Sequence, residues 1–426
     1  MTELEQQLRE AYVERLGALD LSGGDLAAAR RTGARMRGRR RLAVGAAAIA
    51  VVAVAIGGSM IGSGRMAVGP SSPSGQWREL PAAPLSPRAN AESVWTGHEV
   101  IVLGGETEPC PPNADCAAGP SGLRDGAAFD PTTNTWRRIA SAPVPVGPGD
   151  RLLAAGDLVV LRSAGTSAWF VFDPARNHWL RLRDVPKGVG GLPSSYGSLV
   201  YALAGRQVVS YDASSGAWST LPPDPITPAL RQRRVTATSS GPVVTGVDAT
   251  KPHDGSVPPI ILADVFDGTS WHRLPATGQI AGNSWTWTGT RMVDPEPFTL
   301  DGGEVDGWGR AYPMGGILDP ASGTWTSLPE ALVNASQGDD RGWVVSAAGG
   351  SWIAVLGQVY DDSTGRLYRL DRPNGAPAYG TTAAWADGRL VVFGGTDFNE
   401  DTSCRGPGST CAQLVDLTNH AWLWTP

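Results

Sequence analysis

One pattern of apolar and polar positions recurs along residues 77–426. An apolar or aromatic residue precedes an aspartate, a short polar stretch follows, and an aromatic residue ends the pattern. The seven copies are Phe129-Asp130…Trp136, Phe172-Asp173…Trp179, Tyr211-Asp212…Trp218, Phe266-Asp267…Trp271, Leu318-Asp319…Trp325, Tyr360-Asp361…Tyr368 and Val415-Asp416…Trp422. In five copies the fourth residue after the aspartate is one that tolerates positive φ, namely Asn134, Asn177, Gly216, Gly323 or Gly365. Each copy predicts two antiparallel strands, c and d, joined by a tight turn whose amides bind the aspartate.

A second hairpin is predicted upstream of each copy. Its turn glycines are Gly97, Gly156, Gly197, Gly241, Gly289, Gly350 and Gly388. An apolar strand follows most of them, as in VIVLGG, which ends at Gly105, and LVVFGG, which ends at Gly395. With these two strands named a and b, each unit is a four-stranded antiparallel meander.

One such sheet cannot bury both of its faces, whereas seven sheets packed radially around an axis can, and closure leaves only short edges. Residues 77–426 are therefore predicted to form an all-β, seven-bladed β-propeller. Six or eight blades are the alternatives if a degenerate unit has been misread. Trp77, in the segment GQWRELP, is predicted to lie in an extra strand d that helps close the ring.

These residues resemble the kelch repeat of β-propellers, a family that includes galactose-oxidase-like proteins. The resemblance rests on the double glycines Gly104-Gly105 and Gly394-Gly395 at the end of strand b, and on the aromatic residue and Trp of the c–d hairpin. It implies a propeller fold of kelch type. Because some members of the family process sugars, it also leaves enzymatic activity open.

Residues 42–64 carry no charge and are predicted to form a transmembrane helix. A helix of this length spans about 34 Å, against roughly 30 Å for the bilayer core. Seven arginines lie between residues 30 and 41, whereas Arg65 stands alone after the apolar run. The positive-inside rule then places residues 1–41 in the cytoplasm and the body outside a cell membrane. A cleaved signal peptide is the alternative, but the long leader and the lack of an A-x-A site favour a single-pass anchor.

The predicted cytoplasmic arm, residues 1–41, contains one short helix. Its apolar residues recur every fourth position, at Leu4, Leu8, Tyr12 and Leu16. Two roles stay open for the arm, a solubilising leader or a docking site for a cytoplasmic partner. Residues 65–76, RMAVGPSSPSGQ, are predicted to be a linker.

The distribution of charge excludes a nucleic-acid partner. The net charge of the chain is −6, but residues 1–41 hold nine Arg against six acidic residues, and residues 65–426 hold 26 basic against 35 acidic residues. An acidic body lacks the basic footprint that binds phosphates. All 16 Trp lie after residue 76, and 55 Gly and 34 Pro favour short strands joined by turns over a helical bundle.

The topology of a meander predicts where a ligand binds. The a–b and c–d turns emerge on one face of the propeller, and the b–c loops and d–a links on the other. The longest b–c loops are 106–125, 248–259, 294–310 and 396–410. Long, variable loops on a rigid scaffold usually recognise ligands, although these loops could also simply cover the propeller mouth.

The loop of unit five carries the candidate ligand-binding residues Asp294, Glu296, Asp301 and Trp308. Carboxylates interleaved with glycine suit calcium or an acid–base pair, but the spacing matches no EF-hand, which favours a solvated acidic loop. Trp308 could stack on a sugar ring. No metal or cofactor is predicted here.

The four cysteines fall in two of these loops, Cys110 and Cys116 in unit one, and Cys404 and Cys411 in unit seven. An even number outside the membrane predicts disulfides. Bonds within each loop are simplest, and bonds between the loops stay open because units one and seven are neighbours. The spacing is unlike that of a zinc site.

Catalytic signatures are weak. His98, His178, His272 and His420 are assigned to the turn face and His253 to the loop face, which argues against a galactose-oxidase-like copper site. The motifs G-x-S-x-G, H-E-x-x-H and the Walker loop are absent from the sequence. The predicted function is therefore binding of a glycan, a cell-wall polymer or a protein by a membrane-anchored propeller. The alternatives are a sugar-processing isomerase, hydrolase or lyase, and a transmembrane regulator that couples an external ligand to residues 1–41.

Overall fold

The computed structural model describes residues 75–110, 122–276, 278–280, 282, 284–294, 299–300, 312–328, 347–355, 357–400 and 413–426. All of them belong to one compact unit, residues 68–426. In this part of the chain, no helix is long and apolar enough to cross a membrane. The predicted cytoplasmic arm and transmembrane helix lie outside the described residues. The predicted linker does too, apart from its last two residues, Gly75 and Gln76.

The described residues form seven four-stranded antiparallel sheets, the blades of a β-propeller. The chain enters with β1 (Gln76–Glu79). Blade one follows with β2 (Glu92–Trp95), β3 (Val100–Leu103), β4 (Gly126–Asp130) and β5 (Thr135–Ile139). Blade two has β6 (Arg151–Ala155), β7 (Leu158–Arg162), β8 (Trp169–Asp173) and β9 (His178–Arg181). Blade three has β10 (Val189–Tyr196), β11 (Leu199–Ala204), β12 (Gln207–Asp212) and β13 (Ala217–Thr220).

The later blades keep this order, and two of them carry an added hairpin. Blade four has β14 (Leu230–Thr238), β15 (Gly241–Asp248), β16 (Ile261–Phe266) and β17 (Trp271–Arg273). Blade five has β18 (Thr286–Trp287), β19 (Met292–Asp294), the hairpin β20 (Thr299–Leu300) and β21 (Tyr312–Pro313), then β22 (Gly316–Asp319) and β23 (Thr324–Thr326). Blade six has β24 (Ala347–Gly349), β25 (Trp352–Val355), β26 (Gln358–Asp361) and β27 (Arg366–Arg369). Blade seven has β28 (Thr382–Ala386), β29 (Arg389–Phe393), the hairpin β30 (Thr396–Glu400) and β31 (Gln413–Leu417), then β32 (Ala421–Thr425).

Turn chemistry is local and follows the sequence pattern. All seven predicted a–b glycines have positive φ, and so do the five predicted c–d residues, from 51° at Asn177 to 72° at Gly216. The aspartate caps its own turn as expected. For example, the Thr132 amide donates to Asp130 Oδ1 at 2.7 Å, and the Ser214 amide donates to Asp212 Oδ1 at 2.9 Å.

The core lies between adjacent blades, because strands b and c are apolar on both of their faces. One cluster joins Val102 and Phe129 of blade one to Val391 and Phe393 of blade seven. All four are almost fully buried. The prediction of seven blades is confirmed by these sheets, and the alternatives of six or eight are excluded.

The seventh sheet corrects one predicted hairpin. Val415-Asp416…Trp422 is not a c–d hairpin, because Asp416 lies in β31 and faces Asp397 of β30. Strand c of blade seven is β32, which pairs with β29 on one side and with β1 on the other. The extra strand predicted at Trp77 therefore closes the ring, with Trp77 opposite Trp424.

This pairing also changes the position of His420. It immediately precedes β32 and so lies on the face of the b–c loops rather than on the turn face. Its Nδ1 is 2.7 Å from Glu79 Oε1, and both side chains are exposed.

Candidate functional site

The two faces of the propeller differ as predicted. Among the described residues, strands a and b, and c and d, are joined by short turns, except in blade seven where d comes from β1. The opposite face, called here the loop face, carries the long b–c segments of blades one, four, five and seven. Two of these segments fold back as the hairpins β20–β21 and β30–β31. The loop face is thus the variable one.

Double glycines bring the d–a links against the ends of strand b. The Gly105 amide donates to the Val146 carbonyl at 2.9 Å, and the Gly395 amide donates to the Arg88 carbonyl at 2.8 Å. A Cβ atom on Gly104 would lie 2.3 Å from the Val146 oxygen, closer than any side chain tolerates. Only glycine permits this approach, and the residue that follows Gly105 is thereby fixed at the loop face.

That residue is Glu106, which is buried. The Asn90 Nδ2 group donates to its Oε1 at 2.5 Å, and the backbones of Glu106 and Ala89 pair in a short bridge. The Asn90 amide in turn donates to the Gly380 carbonyl of the link that enters blade seven, at 2.7 Å. Asn90 is left-handed, with φ of 54°, which asparagine tolerates. Segments from two blades thus position one carboxylate.

A buried ion pair supports this arrangement. Arg88 is 1% exposed and binds both carboxylate oxygens of Asp125, at 2.8 and 2.9 Å. It also donates to the Gly104 carbonyl at 3.0 Å and to Ser86. The guanidinium lowers the pKa of Asp125 chiefly by donating hydrogen bonds to its ionised form. Arg88 therefore ties the link before blade one to the segment that enters strand c.

A cleft of about 460 Å³ opens on the loop face between blades one and two. Its walls are Glu106, Gly122, Pro145, Gly147, Pro148, Asp150, Ser163, Gly165 and Thr166. Asp150 holds two of these walls together, since it accepts from the Gly147 amide at 2.9 Å and from the Ala164 amide at 2.7 Å. The cleft is mostly backbone and hydroxyl groups, with carboxylates from two directions.

Next to the cleft, Glu92 and Arg151 face each other across strands a of blades one and two. The Arg151 Nη1 atom lies 3.4 Å from Glu92 Oε1 and 3.0 Å from the Asp150 carbonyl. Burial raises the pKa of Glu92 to about 7, against the opposing effects of Arg151 and of a backbone hydrogen bond from Leu152. A carboxyl with this pKa can donate or accept a proton near neutral pH.

Apolar side chains lie exposed on the other side of Asn90, around the hairpin β30–β31. Leu414 is 54% exposed, Val415 40% and Tyr379 38%. The ring centroids of Tyr379 and Phe398 are 5.6 Å apart. The backbones of Tyr379 and Thr396 are paired, so the aromatic pair and the Asn90–Glu106 contact belong to one continuous strip of the loop face.

The structure describes only part of the predicted site. Asp294 ends β19, is fully buried, and accepts from the Ser284 amide at 3.1 Å. Glu296, Asp301 and Trp308 lie outside the described residues, so a shared ligand-binding role for the four residues stays a prediction. Within the described part of the chain, no group of His, Cys, Asp and Glu side chains could hold a metal ion.

The structure describes only one of the four cysteines that are predicted to form disulfides. Cys110 is the one cysteine among the described residues, and it is not a free thiol. Cys116, Cys404 and Cys411 lie outside those residues, and the pairing of the four stays a prediction.

Sequence reasoning missed Asn90, Glu92, Glu106, Asp150 and Arg151. They come from links and strand ends of three blades, and no motif joins them along the chain. One signal was present, because Glu106 directly follows the double glycine Gly104-Gly105, at the start of the long b–c loop of blade one.

No family model and no curated protein matches the chain. Among solved structures, it is similar to one titled "Structure of YjhT", with a TM-score of 0.38 and 13% sequence identity, covering 60% of this chain and 88% of that chain. A similarity of this level carries no argument about function. The sheets themselves define the class of protein, a seven-bladed β-propeller.

Proposed function

We propose that this chain is a membrane-anchored propeller of kelch type that binds a glycan, a cell-wall polymer or a protein on its loop face. The observation that carries the proposal is the continuous strip of blades seven, one and two. In this strip, a cleft with a buried carboxylate lies beside the aromatic pair Tyr379 and Phe398, of which the Tyr379 ring is exposed. Concave sites with a few convergent polar groups, and exposed apolar patches, are typical of recognition surfaces.

The kelch assignment and the anchor rest on sequence. The double glycines and the Asp…Trp pattern support the first, and the uncharged residues 42–64 with their one-sided arginines support the second. Protease added to intact cells should remove the propeller and leave residues 1–41 protected. Protection of the propeller in intact cells would contradict the proposed orientation.

The binding proposal is tested with the full-length chain against glycans, cell-wall fragments and cell-surface proteins. Tyr379→Ala should weaken capture at least several-fold, since the variant removes an exposed ring from the strip. Leu180→Ala is the matched control, because Leu180 is 59% exposed on the outer strand of blade two. Equal loss in both variants, or capture unaffected by changes anywhere on the loop face, would refute the proposal.

Glu92 favours a second candidate, a sugar-processing enzyme. A half-buried carboxyl with a pKa near 7, paired with an arginine beside a cleft, suits proton transfer. Incubation of the chain with sugars should then give turnover that Glu92→Gln abolishes and Glu79→Gln leaves intact, because Glu79 is exposed at the outer edge of blade seven. Turnover equal in the two variants would exclude Glu92 as the group that transfers the proton.

A further inference from the structure

We infer that the cleft between blades one and two holds a single sugar ring, and that it prefers an amino sugar to a neutral sugar and excludes an acidic one. The inference rests on the proposed function and deepens it, since it assigns a ligand class to one part of the loop face.

Asp150 and Glu106 supply the two carboxylates of the cleft, and their hydrogen bonds decide which oxygen can accept from a ligand. Both oxygens of Asp150 accept from backbone amides. Glu106 is 7% exposed, and Asn90 occupies its Oε1. Among the described residues nothing donates to the other oxygen of Glu106, and it is not one of the enclosed polar atoms that lack a partner. That oxygen is left to accept from a ligand.

The walls make the cleft selective for charge. No Lys or Arg side chain is among the described residues that line it, whereas Glu106 and Asp150 both line it. A ligand carboxylate would meet like charges with no cation in the walls, and an ammonium group would gain a charge-assisted hydrogen bond. Thr166, whose side chain is exposed, adds a hydroxyl that can bind a ring hydroxyl.

The shape of the cleft favours a compact polar ring over a long side chain. A volume of about 460 Å³ lies within the range for small-ligand sites. Glycine and proline supply most of the walls, so backbone groups face the ligand at short range. Among the described lining residues, an apolar peptide side chain would find no aromatic or aliphatic partner apart from two prolines.

The test uses the methyl glycosides of glucosamine, glucose and glucuronic acid, which share one ring and differ in charge. Ligand-detected NMR with the full-length chain at about pH 6, below the pKa of an amine, should rank glucosamine first, glucose second and glucuronate last. Glu106→Gln should weaken glucosamine binding about tenfold and glucose binding less, because Gln can still accept from Asn90 while losing the charge. Glu108→Gln removes the same charge from an exposed position two residues away and should change neither.

A blocking variant keeps the test valid if the carboxylate variant misfolds. A Cβ on Gly165 would meet no atom within 4 Å, and Gly165 lacks a positive φ. Gly165→Phe should therefore fill the cleft without disturbing the blade, and abolish binding of all three glycosides.

The outcomes separate this inference from the broader function. The inference fails if glucuronate binds as tightly as glucosamine, or if Gly165→Phe binds the glycosides as well as wild type does. It also fails if no glycoside binds while Tyr379→Ala still weakens capture of some other ligand. A basic peptide that competes at the cleft better than glucosamine would also overturn it. If no ligand of any class depends on the loop face, the proposed function fails as well.

Discussion

At the scale of single residues, the tryptophan of strand d joins neighbouring blades. Its ring packs on the aromatic residue of strand c, with centroids 5.0 Å apart for Phe129 and Trp136. Its indole N–H donates to a backbone carbonyl in the link that leaves the preceding blade. The bonds run from Trp77 to Asp371, from Trp136 to Pro81, from Trp179 to Ala140, from Trp271 to Pro222 and from Trp325 to Pro275. The repeated Trp is therefore an inter-blade contact as well as a core residue.

Blade three provides a natural control for this bond. The indole N–H of Trp218 is buried and has no hydrogen-bond partner among the described residues. Trp179→Phe should cost about 1 kcal/mol more of unfolding free energy than Trp218→Phe, because only the former breaks a hydrogen bond and leaves the Ala140 carbonyl unpaired. Urea unfolding of both variants measures the difference. Equal costs would show that the indole bond adds nothing to packing.

At the scale of secondary-structure elements, closure of the ring of blades depends on the four-residue strand β1 (Gln76–Glu79). β1 supplies strand d to blade seven, and Trp77 packs against the cluster that contains Trp422, Trp424 and Trp385. No covalent turn joins β1 to β32, so packing and strand pairing alone hold this edge.

Trp77→Ala should therefore destabilise the propeller by about 3 kcal/mol, the low end of the range for loss of a core Trp ring, because the Trp77 ring is partly buried. Amide hydrogen exchange should rise first in β32 and β29, the strands nearest the opened edge. Arg78→Ala is the control, because in the described part of the chain that side chain forms just one exposed hydrogen bond, to Asn134. If exchange rises uniformly over all blades, β1 does not close the ring as a separate element.

These elements also show how far sequence predicts this fold. Six c–d hairpins were predictable because the aspartate, the left-handed residue and both strands lie within about ten residues of one another. The seventh was not, since its two strands come from opposite ends of the body, and β30–β31 reproduced part of the pattern. Glu106 alone had a signal in the sequence. The rest of the site could not be predicted, because Asn90, Gly380 and Asp150 come from segments of different blades and surround Glu106 only once those blades have packed.

At the scale of the whole propeller, stability depends on pH in two opposite ways. Burial raises the pKa of Glu92 from 4.5 to about 7, so the folded state keeps a proton that the unfolded state releases. The contribution of Glu92 to stability is then full below about pH 4.5 and falls by about 3 kcal/mol as pH rises to 7.

In the turns, hydrogen bonds lower the pKa of Asp212 and of Asp267 to about 2. The chief donor to Asp212 is the Ser214 hydroxyl, and the chief donor to Asp267 is the Ser270 amide. Their contribution is lost as pH falls from 3.8 towards 2.

The propeller should therefore be most stable between about pH 4 and pH 5, and less stable at neutral pH. Urea unfolding at about pH 4.5 and pH 8 should give a lower free energy at the higher pH for the wild type and a smaller difference for Glu92→Gln. Glu108→Gln, which removes an exposed carboxylate, should behave as wild type. A wild-type slope in Glu92→Gln would mean that other groups control the neutral range.

The pairing of β1 with β32 has a consequence for biosynthesis. β1 is the first strand of the propeller to be made, and its partner follows about 340 residues later. At ordinary rates of translation this interval is roughly 20 to 70 s, during which the six intervening blades can form while β1 has no edge to join. Premature termination after blade six would leave β1 permanently open to pairing with another nascent chain, so errors late in translation should produce aggregates rather than shorter propellers.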